Sequence, residues 1–219
     1  DGDGFADLGA GNDRFQGGYD TSNVIVGLGA GNDFAAVGGY EASVFGEDGH
    51  DRIYLTTTVY GAADGGAGND FISAVSGQNY LNGGAGADTI LGGSGSDEID
   101  GGIGSDKLNG GAGNDTLYGS DGFDFMVGGA GNDIFYAGAG DSLHGGRGAD
   151  VFSLRGVYEG PMVEIHNLRS NDRIELAPGS DWSYDTWTHV IMVNGTPLIH
   201  LTGTSVVPTT HMFLNKKKE

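Results

Sequence analysis

The sequence has no cysteine, so neither disulfides nor thiolate metal sites can staple its fold. Basic residues are scarce: 10 Lys and Arg stand against 30 Asp and Glu, for a formal charge of −20. That balance excludes nucleic acid as a partner, because the phosphate term is repulsive. Self-repulsion also opposes a compact state unless cations intervene. No apolar run approaches the roughly 18 residues of a membrane-spanning helix, so membrane insertion is not expected. Missing too are a nucleophile elbow, a zinc-protease motif, a paired-carboxylate cleft and a GxxxxGK[ST] phosphate loop, so no catalysis is expected within these residues. No initiator Met or signal peptide opens the chain. It starts in mid-pattern at Asp1-Gly2-Asp3-Gly4, which reads as a fragment or a processed product of something longer.

Glycine is what the chain has in excess, at 45 of 219 residues, with aromatics still at 10%. This argues against a generic disordered linker and for a backbone with many positive-φ positions. From Gly65 to Tyr136 the sequence parses without insertion into eight nonapeptides, beginning at Gly65, Ala74, Gly83, Gly92, Gly101, Gly110, Gly119 and Gly128. The clearest are GGAGADTIL (83–91), GGAGNDTLY (110–118) and GGAGNDIFY (128–136). Position 6 is Asp in all but one copy, the exception being Asn79, and position 8 is always apolar: Ile72, Leu81, Ile90, Ile99, Leu108, Leu117, Met126 and Phe135. Glycines at positions 1, 2 and 4 turn the chain sharply and aim carbonyls at one point. Positions 7 to 9 are extended, with position 8 inward and its neighbours outward. One inward side chain per repeat makes no core, so repeats must stack.

The aspartates set the pitch. Asp13, Asp33, Asp51, Asp70, Asp88, Asp106, Asp124 and Asp141 follow one another at steps of 20, 18, 19, 18, 18, 18 and 17. Interleaved are Asn79, Asp97, Asp115, Asp133 and Asp150, at steps of 18, 18, 18 and 17. The last steps shorten together, as a deletion within Ala137–His144 requires. Two nonapeptides therefore make one turn, with a strand on each of two parallel sheets and a row of carboxylates along each edge. Extrapolated upstream, the second edge carries Ser22, Ser43 and Gly61 instead, so it is expected to be acid-lined only from about Gly92. The strands there (24–26, 44–45, 54–60) keep the coil going with ordinary turns.

Stacked turns lie ~4.8 Å apart. Two carboxylates at that spacing repel by ~3 kcal/mol at an effective dielectric of 20. A divalent ion between successive loops reverses the sign. Two carboxylates plus turn carbonyls supply the six to eight hard oxygens that Ca²⁺ takes, whereas Mg²⁺ demands tight octahedral geometry. Zn²⁺ would want His or Cys, which these loops do not supply. Seven gaps on the first edge and three on the second predict about ten Ca²⁺ ions. With no site preformed in the unfolded chain, binding energy becomes folding energy, and the ion-free chain is expected to be expanded.

The pattern GGxGxDxUx resembles the RTX (repeat-in-toxin) nonapeptide, strongly from Gly65 to Ser153 and more weakly from Leu8 to Asp64. The resemblance implies an all-β fold: a right-handed parallel β-roll, two nonapeptides per turn, with a small β-rich C-terminal cap. It implies Ca²⁺ held by Asp70, Asp88, Asp97, Asp106, Asp115, Asp124, Asp133 and Asp150, and the spacing of the first series adds Asp13, Asp33 and Asp51. Carbonyls of positions 1 to 4 complete the shells, among them those of Gly65, Gly66, Gly68, Gly83, Gly84, Gly86, Gly92, Gly93 and Gly95. The same holds for Gly101, Gly102, Gly104, Gly110, Gly111, Gly113, Gly128, Gly129 and Gly131. Asn79 departs from the pattern, Asp121 replaces a small residue, and Asp141 arrives one position early. The family also implies secretion to the exterior or cell surface by a Gram-negative type I route, with calcium as partner.

The expected organisation is 1–64 irregular roll turns with calcium loops mainly on one edge, 65–153 regular repeats and 154–219 a capping flank. In the last part 162–168, 173–176, 189–193 and 197–201 read as strands, Asn194-Gly195 as a hairpin turn, and Trp182 and Trp187 as anchors. Phe125, Val127, Ile134 and Tyr136, outward on the last repeats, suggest the surface this cap covers. The order GADVF, EIHNL, NDRIEL resembles the flank that precedes an RTX secretion signal, although HMFLNKKKE departs from the usual acidic-apolar ending.

Residues 1–12 lack the twelfth-position Glu of an EF-hand, Asn12 standing there, and read better as a ragged repeat. His166, His189, His200 and His211 match no metal spacing and read as solvated. The sequons at Asn114 and Asn194 read as coincidence. Phe71, Tyr80, Tyr118 and Tyr136 read either as a carbohydrate-stacking face or as ordinary strand formers, and Lys216–Lys218 as a solvated tail. Three functions compete: a non-catalytic calcium-folded module of an exported protein, a surface structural or adhesive element contacting polysaccharide or itself, and the C-terminal part of a secreted enzyme catalysing upstream.

Overall fold

The computed structural model describes residues 4–17, 23–57, 59–157, 160–204, 207–209 and 212–213. Ser22, His211 and Lys216–Lys218 lie outside them. Successive strands fall alternately into two sheets. One has ten strands, from Gly4–Asp7 to Arg173–Glu175; the other has twelve, from Arg14–Gly17 to Trp182–Asp185. Along the coil each strand pairs in parallel with the one a full turn later. The chain is thus a parallel β-solenoid, all-β as its alternation requires, and it has the architecture of a β-roll.

The core is two columns of position-8 side chains. Ile72, Ile90, Leu108, Met126 and Leu143 stand in register on one sheet. Leu81, Ile99, Leu117, Phe135, Phe152 and Ile174 stand in register on the other. Every one of them is at most 1% exposed, and Phe135 stacks on Phe152 at 5.0 Å. Burying such a side chain contributes about 1.5–3 kcal/mol, but only when a neighbouring turn covers it.

Upstream the core spreads into the second edge. The row that holds Asn79 continues to Gly61, Ala42 and Val24. Val37, Leu55 and Ala74 form a second buried row beside it. Gly61 stands where the extrapolated series places it. Ser43 does not: it lies one residue along, between Ile25 and Ala62, so the buried place is taken by Ala42. The alternation of side chains, not the glycine count, decides which residue faces in.

After Ser153 the strands Val163–His166 and Arg173–Glu175 extend both sheets. Thr196–Thr202 then joins in parallel beside Val163–His166, followed by Val190–Val193 and Trp182–Asp185 in antiparallel. Asn194 and Gly195 have φ of 52° and 82°, the paired left-handed geometry of a tight hairpin turn. Leu176, Ile191, Val193, Leu198, Leu201, Met212 and Phe213 run on continuously from the roll's core. Trp182 anchors as expected, stacked on Phe213 at 3.9 Å, but Trp187 is 93% exposed and anchors nothing. The end of the coil is covered; its sides are not. Phe125, Ile134 and Tyr136 remain exposed on the outer faces, since the added strands prolong the sheets instead of folding back over them.

Candidate functional site

The loop Gly83–Asp88 shows how the repeat shapes an edge. Gly86 has φ of +146°, and a Cβ there would lie 1.6 Å from the carbonyl oxygen of Gly68 in the adjacent turn. Gly83 needs no unusual φ, yet a Cβ there would lie 2.5 Å from both Asp88 Oδ2 and the Gly101 carbonyl oxygen. Glycine at position 1 therefore leaves room for the position-6 carboxylate, which folds back over its own loop towards a carbonyl of the next turn. The same pairing of an acid with a carbonyl of the adjacent turn recurs at Gly46, Gly65, Gly92, Gly101 and Gly128.

The carboxylates form two continuous ladders. On the first edge the backbone N–H of Asp13 donates to Oδ1 of Asp33, and the same bond links Asp33 to Asp51, Asp51 to Asp70, and Asp70 to Asp88, each at 2.7 Å. Asp88 to Asp106, Asp106 to Asp124 and Asp124 to Asp141 follow at 2.8, 2.9 and 3.0 Å. On the second edge Asn79 bonds Asp97, Asp97 bonds Asp115 and Asp115 bonds Asp133, each at 2.9 Å; Asp133 then bonds Asp150 at 3.1 Å.

That accounts for Oδ1 of every acid after Asp13. The other, Oδ2, is buried without a hydrogen-bond partner in Asp13, Asp33, Asp51, Asp70, Asp88, Asp97, Asp106, Asp115, Asp124, Asp133 and Asp150. A buried anionic oxygen with no donor is strongly unfavourable unless a cation faces it. Burial, with neighbouring carboxylates adding to it, pushes Asp51 and Asp88 up to about 6 and Asp124 and Asp133 to about 7. Asp97 rises to about 6, again chiefly through burial, although the Asn79 amide beside it pulls the other way. Each gap is bounded by two carboxylates, and among the described residues no three His, Cys, Asp or Glu groups converge as a metal centre. The remaining ligands must be carbonyls, the donor set that suits Ca²⁺.

Both ladders end differently. Asp141 Oδ2 accepts the N–H of Gly138 at 2.7 Å. The second ladder runs one rung beyond the predicted series, to Asp172, whose Oδ1 accepts the N–H of Asp150 at 3.1 Å and whose Oδ2 accepts that of Arg169 at 2.7 Å. Each terminal acid is satisfied by its own loop. Asp172 was hidden in the sequence by a 22-residue step outside the glycine period, its one cue being the Asn-Asp pair it shares with other loops. At the other end Asn79 substitutes a neutral donor: its Nδ2 gives a hydrogen bond to Asp97 Oδ1 at 2.8 Å.

A third ladder, at position 5, flanks the carboxylates of the first edge and runs with opposite polarity. Asn12 Oδ1 accepts the N–H of Asn32 at 2.9 Å, Asn32 that of His50 at 2.8 Å, and Asn69 that of Ala87 at 2.9 Å. His50 is thus a histidine within a loop, contrary to expectation. It serves as an acceptor, taking the N–H of Asn69 on Nδ1 at 2.6 Å. The cap histidines are less solvated than expected: His166 stacks on His144 at 4.2 Å and, with His200, flanks Glu164 at 3.6 and 3.8 Å.

A family model described as the RTX calcium-binding nonapeptide repeat (4 copies) matches residues 64–99, 73–108, 91–126, 109–142 and 141–155. No curated protein matches the chain. No helix among the described residues is long and apolar enough to cross a membrane. The matched stretch holds eight of the eleven carboxylates with an unpartnered oxygen, Asp70 to Asp150. Residues 64–155 thus carry RTX calcium-binding nonapeptide repeats, and this part of the chain is a calcium-binding module.

Proposed function

We propose that the whole roll, from Asp13 onward, is a calcium-folded module of an exported protein, expanded where calcium is scarce and rigid outside the cell. The observation that carries this reading is the set of eleven buried Oδ2 atoms without a donor, spaced one per turn along each edge. Asp13, Asp33 and Asp51 share that environment with the eight acids of the matched repeats, so the same role extends to them. The carbonyls of the position-1, -2 and -4 glycines named above complete the oxygen shells. Calcium supplies positive charge between carboxylates that otherwise repel.

The ladders also refine the ion count. A gap needs an unpartnered oxygen on both sides, and the acids that have one leave six such gaps on the first edge and three on the second. Nine ions, not ten, follow, because the Asp141 oxygen is already engaged by Gly138. Circular dichroism with and without EGTA, together with equilibrium dialysis, tests both statements. Full β-structure after exhaustive chelation would overturn the reading.

An adhesive role finds less support on the outer faces. Tyr118 and Tyr136 stack on each other at 4.7 Å and 5°, so each ring covers one of the other's two faces on which a sugar would stack. Catalysis, if the parent protein has any, belongs to other segments of it.

A further inference from the structure

The sequence contains three Asn-Gly pairs: Asn82-Gly83, Asn109-Gly110 and Asn194-Gly195. Glycine offers no side chain to hinder its own nitrogen and bends freely, so such pairs are the ones most prone to attack of the backbone nitrogen on the asparagine side chain. Two of the three are built into the calcium-lined part of the roll. Asn82-Gly83 lies inside the strand Gln78–Ala85, with hydrogen-bonded strands on both sides. Asn109-Gly110 lies likewise inside Lys107–Ala112. An atom added to Gly110 Cα would lie 2.3 Å from Asp115 Oδ2, and the equivalent atom on Gly83 2.5 Å from Asp88 Oδ2. Ring closure must bend an extended peptide and bring the asparagine side chain back over the glycine nitrogen. The folded edge leaves no space for that motion; the unfolded chain does.

We propose that Asn82 and Asn109 are sites of spontaneous deamidation whose rate is governed by calcium, on the basis of the calcium-dependent folding proposed above. The glycine nitrogen loses its proton and attacks asparagine Cγ. A carbon–nitrogen bond forms, the side-chain carbon–nitrogen bond breaks and ammonia leaves. Water then opens the cyclic imide to aspartate or isoaspartate. At Asn82 either product places a carboxylate between Asp64 and Asp100, its partners in register. Isoaspartate also lengthens the backbone just before the glycine that must sit against Asp88. A chain kept too long without calcium thereby loses its capacity to fold.

Incubating the purified chain at neutral pH in calcium or in EGTA, with peptide mapping by mass spectrometry, tests this. Asn82 and Asn109 are expected to lose ammonia at least about tenfold faster in EGTA, since reaction in calcium must wait for local opening. The Asn82→Gln/Asn109→Gln double variant, aged in EGTA, should keep the calcium-induced circular dichroism signal that the aged wild type loses. Equal rates in a chain that circular dichroism shows to be folded by calcium would overturn the inference. A chain already folded in EGTA would overturn the folding proposal itself.

Discussion

At the scale of single residues, positions 6 and 8 do different work in the same repeat. Leu117 is fully buried between Ile99 and Phe135. Leu117→Asp puts an unpaired charge into that column, at a cost of several kcal/mol, and no amount of calcium reaches it there. Thermal unfolding in saturating calcium should show the roll lost. Asp115 lies in the opposite case: its Oδ1 holds the N–H of Asp97 and its Oδ2 has no donor. Asp115→Ala should leave the column intact but raise the calcium midpoint and remove the ions on either side of it, about two per chain by dialysis. The two variants separate packing from electrostatics. Both positions could be read from the sequence because the glycine period fixes their phase. Ser43 and Asp172 could not. Ser43 precedes the regular repeats, where strand alternation sets the inward row, and Asp172 follows them, beyond a loop of different length.

At the scale of the edge, burial lifts the carboxyls from Asp51 to Asp141 on the first ladder and from Asp97 to Asp172 on the second above their ordinary value of 3.8, to about 6 at Asp88 and about 7 at Asp133. The ion-free folded state therefore binds protons that the unfolded chain has already released. This contribution to stability is complete below about pH 4 and is lost as pH rises through 6 to 7. Acid should consequently replace calcium in part. In EGTA, far-ultraviolet circular dichroism should show β-structure returning as pH falls from about 7 towards 4, while in calcium the same interval should change it little. The two-edged design was legible from the interleaved aspartate series. The terminal rungs were not, because whether an acid is left with a free oxygen depends on its loop's backbone, as at Gly138 and Arg169.

At the scale of the molecule, a charge of −20 on 219 residues opposes compaction, and roughly nine divalent ions nearly cancel it. Without them a chain of this length should approach the dimensions of an unfolded polymer, a radius of gyration near ~50 Å. X-ray scattering across a calcium titration should show a single contraction from that value as ellipticity changes. The cap's place at the end of the coil followed from the need to cover a solenoid end. Its strand at Trp182–Asp185 did not, because a four-residue segment carrying Ser, Tyr and Asp has no periodic signature to read.

The apolar rows that replace acids along the second edge, Val24 to Gly61 and Val37 to Ala74, make the two sides of the early turns unlike. One side is held by oil and the other by salt. A stripped molecule should therefore part first along the Asp13–Asp70 side, opening there like a book whose spine is the valine and leucine seam opposite.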